Sequence, residues 1–158
     1  MRDIALPTIN KATSTFAKYG FYVRVISKED PLFSDLLSQI LGGKQLIGAV
    51  TKRQTIFQDL DNNVIYLIRE NFKGITLSRV FHEIGHRVFY NLAPRERAKY
   101  LKATRMSKYL PSATIIASIP EERFAEEYSL YHFQPDAVRL ATGAVFDFMR
   151  TLGGGAER

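Results

Sequence analysis

From Thr76 onward the apolar residues settle into a helical period: Leu77, Val80, Phe81, Ile84, Val88 and Phe89 share one side of a helix. A stripe of that width has to be buried against other elements, so the chain must supply partners for it. Two kinds are at hand. Upstream, "FYVRVIS" (Phe21 to Ser27) alternates as a strand does, and "QLIGAVTKRQTIFQDLDNNVIYLIRE" reads as two or three strands with Asp61 to Asn63 as the tightest turn. Between these, Thr8 to Lys18 predicts a helix stopped at Tyr19 and Gly20. A second helix starts at Asp30 and Pro31 and is stopped by Gly42 and Gly43. Downstream, Pro94 opens a basic helix to about Lys108, followed by a loop from Leu110 to Pro120. Counting from Thr76, a third helix, "EERFAEEYSLYHF", carries the stripe Phe124, Tyr128, Tyr131, and a fourth begins after Pro135. The expected fold class is α+β: a small mixed or antiparallel sheet followed by a helical C-terminal half. Residues 1–152 are expected to form one domain, with 153–158 a flexible Gly-rich tail.

A chain of 158 residues can build a core without disulfide or metal, and cysteine is absent. That absence excludes disulfides, thiolate nucleophiles and sulfur-ligated zinc. No apolar run is long enough to cross a bilayer and no signal core opens the sequence, so a soluble, cytoplasmic or otherwise intracellular protein is expected. The net charge is +6, and basic residues gather in "RERAKYLKATRMSK", Arg95 to Lys108. Such a cluster attracts nucleic acid or anionic surfaces, but the solvated face of a helix with i,i+4 charges produces the same string.

Of the three histidines, His82 and His86 stand four apart on the apolar helix, so their rings can address one point in space. With Glu83 they form H-E-x-x-H, in which two neutral imidazoles hold Zn2+ and the adjacent carboxylate acts on water. Ile84 is read as facing the core, Gly85 as leaving the backbone open near the site, and the strand "NVIYLIRE" as an edge for an extended peptide. A third protein ligand is required. His132 is one candidate, but four glutamates fall within seven residues at Glu121, Glu122, Glu126 and Glu127. With Phe124, Tyr128 and Tyr131 facing the core, Glu122 and Glu126 share a neighbouring face, while Glu121 and Glu127 point to solvent. Glu122 is preferred as ligand and Glu126 as acceptor for the free N–H of a ligand histidine. The reverse assignment stays open, because the register of this helix is not readable from sequence.

"HEIGH" followed 36 positions later by "ERFAEEY" resembles the gluzincin metallopeptidases, in particular the lethal-factor-like and Pro-Pro endopeptidase branch, whose ligand glutamate opens an E-x-F-A-E segment. The resemblance covers two short segments. It implies a zincin-like fold, Zn2+ held by His82, His86 and Glu122, Glu83 as general base, Glu126 behind the ligands, and a peptide or protein substrate. That branch carries an oxyanion-stabilising tyrosine seven residues before the ligand glutamate, where this chain has Ile115. Tyr109, Tyr128, Tyr131 and His132 are candidates for the role. The alternative is a catalytically weak or inactive zincin-fold binding protein that contacts nucleic acid through its basic helix.

Overall fold

The computed structural model describes residues 1–41, 53–105 and 120–152. The expected glycine stop at Gly42 and Gly43, Lys108, Tyr109, Ile115 with the loop around it, and the tail 153–158 lie outside the described residues. The chain divides into two compact units, Ala5–Thr76 and Met1–Ile4 together with Leu77 onward. The fold class is α+β, with the helices concentrated in the C-terminal half.

Ala5–Thr76 contains β1 (Ala5–Leu6), α1 (Ile9–Lys18), β2 (Tyr22–Ile26), α2 (Pro31–Leu41), β3 (Ile56–Asp59), β4 (Val64–Ile68) and β5 (Ile75–Thr76). Thr8 caps α1, its Oγ1 accepting from Lys11 N at 3.1 Å, which satisfies one of the free N–H groups of the first turn. The main sheet is mixed, in the order β2-β4-β3: β4 runs parallel to β2 with Tyr22 opposite Val64, and antiparallel to β3 with Ile56 opposite Leu67. "NVIYLIRE" is therefore the central strand and not a peptide-binding edge, because Tyr22–Ile26 takes up the side that was read as open. The turn between β3 and β4 uses Asn63 at φ 57°, and its Nδ2 donates to Gly20 O at 2.8 Å. Ile26, Phe33, Leu36, Phe57 and Ile68 form the apolar cluster between this sheet and α2. β1 and β5, too short to be visible as alternation, pair antiparallel at the two ends of the unit.

The second unit holds α3 (Leu77–Tyr90), α4 (Pro94–Arg105), α5 (Pro120–Phe133), α6 (Pro135–Ala141) and α7 (Gly143–Leu152). The expected fourth helix is two, because Thr142 is extended at φ −161°, ψ 113°. Its N–H closes α6 on Val138 O at 2.9 Å while its Oγ1 accepts from Val145 N at 3.4 Å at the start of α7. Phe89, Tyr100, Phe124 and Phe148 interlock, with Tyr100 and Phe124 centroids 4.9 Å apart, and Val80, Val138, Val145 and Met149 are fully or almost fully buried. At the N-terminus of α3, backbone N–H groups find partners in the first residues of the chain. Asp3 Oδ1 accepts from Ser78 N at 2.9 Å and Ile4 O from Leu77 N at 2.8 Å, so the cap is supplied from the other end of the sequence. Among the described residues no helix is long and apolar enough to cross a membrane.

Candidate metal centre

α3 and α5 approach each other more closely at Gly85 than any side chain permits. A Cβ on Gly85 would lie 2.9 Å from Ala125 Cα and 3.1 Å from Tyr128 Cβ. Gly85 thus does not open the backbone toward the site, as its sequence position implied; it is pressed against α5. The contact is extended by Ser129, whose hydroxyl donates to Ser78 O at 2.8 Å. With the backbones this near, short side chains span the gap, and Glu122 on α5 reaches both histidines of α3.

Both rings turn the same nitrogen toward that carboxylate. Nε2 of His86 lies 3.0 and 3.1 Å from the two Glu122 oxygens, and Nε2 of His82 lies 3.4 Å from Oε2. One ligand atom from each of the three residues lies within 4.8 Å of the others. Donors bound at 2.0–2.1 Å around a tetrahedral ion sit about 3.3 Å apart, so the nitrogen-to-oxygen spacings suit zinc. On the far side of His82, Glu126 Oε1 is 2.9 Å from Nδ1, an ion-pair separation whose angle falls short of a straight hydrogen bond. A carboxylate at that nitrogen favours the tautomer that leaves Nε2 free as a ligand. Glu83 is buried beside the histidines, with Oε2 3.1 Å from Nε of Arg79 one turn earlier.

The electrostatics are those of a site built for positive charge inside a basic protein. Burial alone would depress the His82 pKa, but Glu122, Glu126 and the charge of Glu83 override it and raise it to about 9. Burial likewise pushes Glu122 upward, yet hydrogen bonds from His82 and His86 hold its carboxyl well below the usual carboxylate range. The contact with His82 also draws Glu126 below its ordinary value.

In the register that α5 adopts, Glu122 lies at the Nε2 atoms of both histidines and Glu126 at Nδ1 of His82. Glu127 departs from its expected place. It is fully buried, accepting hydrogen bonds from the hydroxyls of Tyr100 and Thr104 on α4, the latter at 3.1 Å, with Arg123 Nε at 3.8 Å. α4 covers the face of α5 that was read as solvated, and burial raises the Glu127 pKa. His132 is no ligand, since its ring is buried between Phe81 and Tyr128, at centroid distances of 4.9 and 4.7 Å. Tyr128 and Tyr131 are buried in the same aromatic group, and neither they nor His132 lines the cavity beside the centre. What borders it is a cavity of about 260 Å³ walled by Arg79, His82, Glu122 and Glu126. The sequence signal for Arg79 is its place one turn before Glu83 on the same helix face.

No known family model, curated protein or solved structure matches the chain.

Proposed function

We propose that the protein is a zinc-dependent endopeptidase in which His82, His86 and Glu122 hold the ion and Glu83 acts as general base. The observation that carries the reading is the convergence of two Nε2 atoms and one carboxylate within 4.8 Å, with separate acids behind and beside them. Bound there, zinc would polarise a carbonyl and acidify water, a contribution available without any redox chemistry. The chain's residues do the rest. Glu122 and the imidazoles fix the donor set, and Glu126 keeps His82 oriented. Glu83 accepts a proton from the attacking water as its oxygen bonds to the amide carbon and the carbonyl π pair moves onto the carbonyl oxygen. It returns that proton to nitrogen as the C–N bond breaks, giving a carboxylic acid and an amine. Burial of Glu83 suits this role by limiting competition from bulk water.

The test is zinc content by atomic absorption together with cleavage of a peptide library. The purified protein is expected to carry one zinc per chain, and Glu83→Gln to keep the metal and lose cleavage. Equal cleavage by the two proteins would remove Glu83 from the mechanism, and a metal-free wild type would remove the centre. If binding to nucleic acid appears instead, with a steep salt dependence tracking Lys99, Lys102 and Arg105, the exposed basic helix is the functional surface.

A further inference from the structure

The geometry points to Arg79 as the residue that donates hydrogen bonds to the oxygen of the scissile carbonyl as negative charge collects on it. This rests on the hydrolytic reading above and adds to it a residue that was not among the candidates named from the sequence. Peptide hydrolysis leaves charge on that oxygen, and a donor waiting there is commonly the largest single contribution a side chain makes. Tyr128, Tyr131 and His132 are enclosed in the aromatic core and do not line the cavity at the centre. Arg79 does line it, together with His82, Glu122 and Glu126, and it is the one guanidinium there among the described residues. It also lines the adjoining cavity of about 300 Å³, whose walls include Leu130 and Phe133 and would receive the substrate's neighbouring side chain.

Its own bonding leaves it ready for this role. Nε is committed to Glu83 at 3.1 Å, and no other hydrogen bond or ion pair holds the side chain among the described residues. The fork is therefore anchored at one nitrogen while its two Nη groups, each with two protons, make no hydrogen bond among the described residues. An anchored planar donor loses little entropy on binding and presents paired N–H groups, which an ammonium cannot do. The anchor is Glu83 itself, so the residue that takes the proton and the residue that receives the charge are fixed relative to each other through one ion pair.

The test uses inorganic phosphate, a tetrahedral oxyanion, titrated by calorimetry into the zinc-loaded wild type, Arg79→Met and Arg79→Lys, with zinc content measured in each. The expected result is unchanged zinc with phosphate binding at least about tenfold weaker in Arg79→Met and intermediate in Arg79→Lys. The same loss is expected when Arg79→Met is made in Glu83→Gln, because the contact to the anion does not pass through Glu83. For a library peptide that the wild type cleaves, kcat should fall about a hundredfold in Arg79→Met with KM within about threefold. Zinc retained with equal phosphate affinities in all variants, or no phosphate binding by the zinc-loaded wild type, overturns the role of Arg79 and leaves the centre standing. Absence of zinc from the wild type overturns the centre, and this inference with it.

Discussion

Glu122 and Glu126 differ by one helical turn, and their positions assign them different tasks that metal measurements separate. Under the proposed function Glu122→Ala removes a ligand and should abolish stoichiometric zinc. Glu126→Ala removes only the partner of His82 Nδ1 and should weaken zinc roughly ten- to a hundredfold, measured by competition with a chromogenic chelator. Equal effects would mean that the ligand set differs from the one described. Glu127 offers a contrasting case. Its removal would leave the hydroxyls of Tyr100 and Thr104 unsatisfied in the core, so Glu127→Ala should cost about 2–4 kcal/mol in urea denaturation. His82, Glu83, His86 and both site glutamates were legible because their spacing fits one helix face and the donor chemistry allows few partners. Glu127 was not, because a helix covered on several sides no longer shows a solvent face in its sequence, and nothing local announces that α4 will bring hydroxyls to it. Arg79 was legible in principle, by the same i,i+4 spacing that joins the histidines.

Elements, not single residues, set the distance across the centre. The stripe on α3 predicted the helix and its buried face, but Gly85 became interpretable only with α5 against it. Gly85→Ala would place a methyl 2.9 Å from Ala125 Cα, so the helices must separate. That overpacking should cost about 1–3 kcal/mol by thermal unfolding and also weaken zinc, since Glu122 would be carried away from both Nε2 atoms. Val145→Ala, a cavity in the same unit remote from the ligands, should lower stability by a comparable amount while sparing zinc affinity. Were both variants to bind zinc as the wild type does, the close approach would not be what positions the ligands. Two element boundaries escaped sequence reading for physical reasons. The break at Thr142 lies in a run with continuous helical character, where one extended residue is fixed by the packing of α6 and α7. Strands of two residues, as in β1 and β5, carry no measurable period.

Charge and burial across the whole molecule give it a characteristic response to acid. The chain carries a net charge of +6, yet its proposed centre collects carboxylates, so the site is an acidic island in a basic protein. Away from it, burial lowers the His132 pKa from 6.5 to about 4, helped by the Met1 amine, which donates to His132 O at 2.9 Å. Arg139 and Arg150, which line the adjacent cavity with Tyr131 and His132, add positive charge on that side. The folded chain therefore resists a proton that the unfolded chain accepts. This contribution to stability is intact above pH 6.5 and is lost as pH falls toward about 4. The melting temperature should decline across that interval, and His132→Phe should flatten the decline relative to the wild type. An unchanged slope would show that His132 is protonated in the fold.

The doubled strand at Ala5–Leu6 and Ile75–Thr76 brings the two ends of a 72-residue excursion side by side. Just beyond them, Asp3 and Ile4 are bonded to Ser78 and Leu77. An excursion whose first and last residues are paired is topologically an insert: lengthening or shortening a loop inside it leaves that pairing of its ends unchanged. The bonds that Asp3 and Ile4 make to the first turn of the helix that bears the histidines lie outside that stretch, so a graft made between its paired ends would keep the cap of that helix in place.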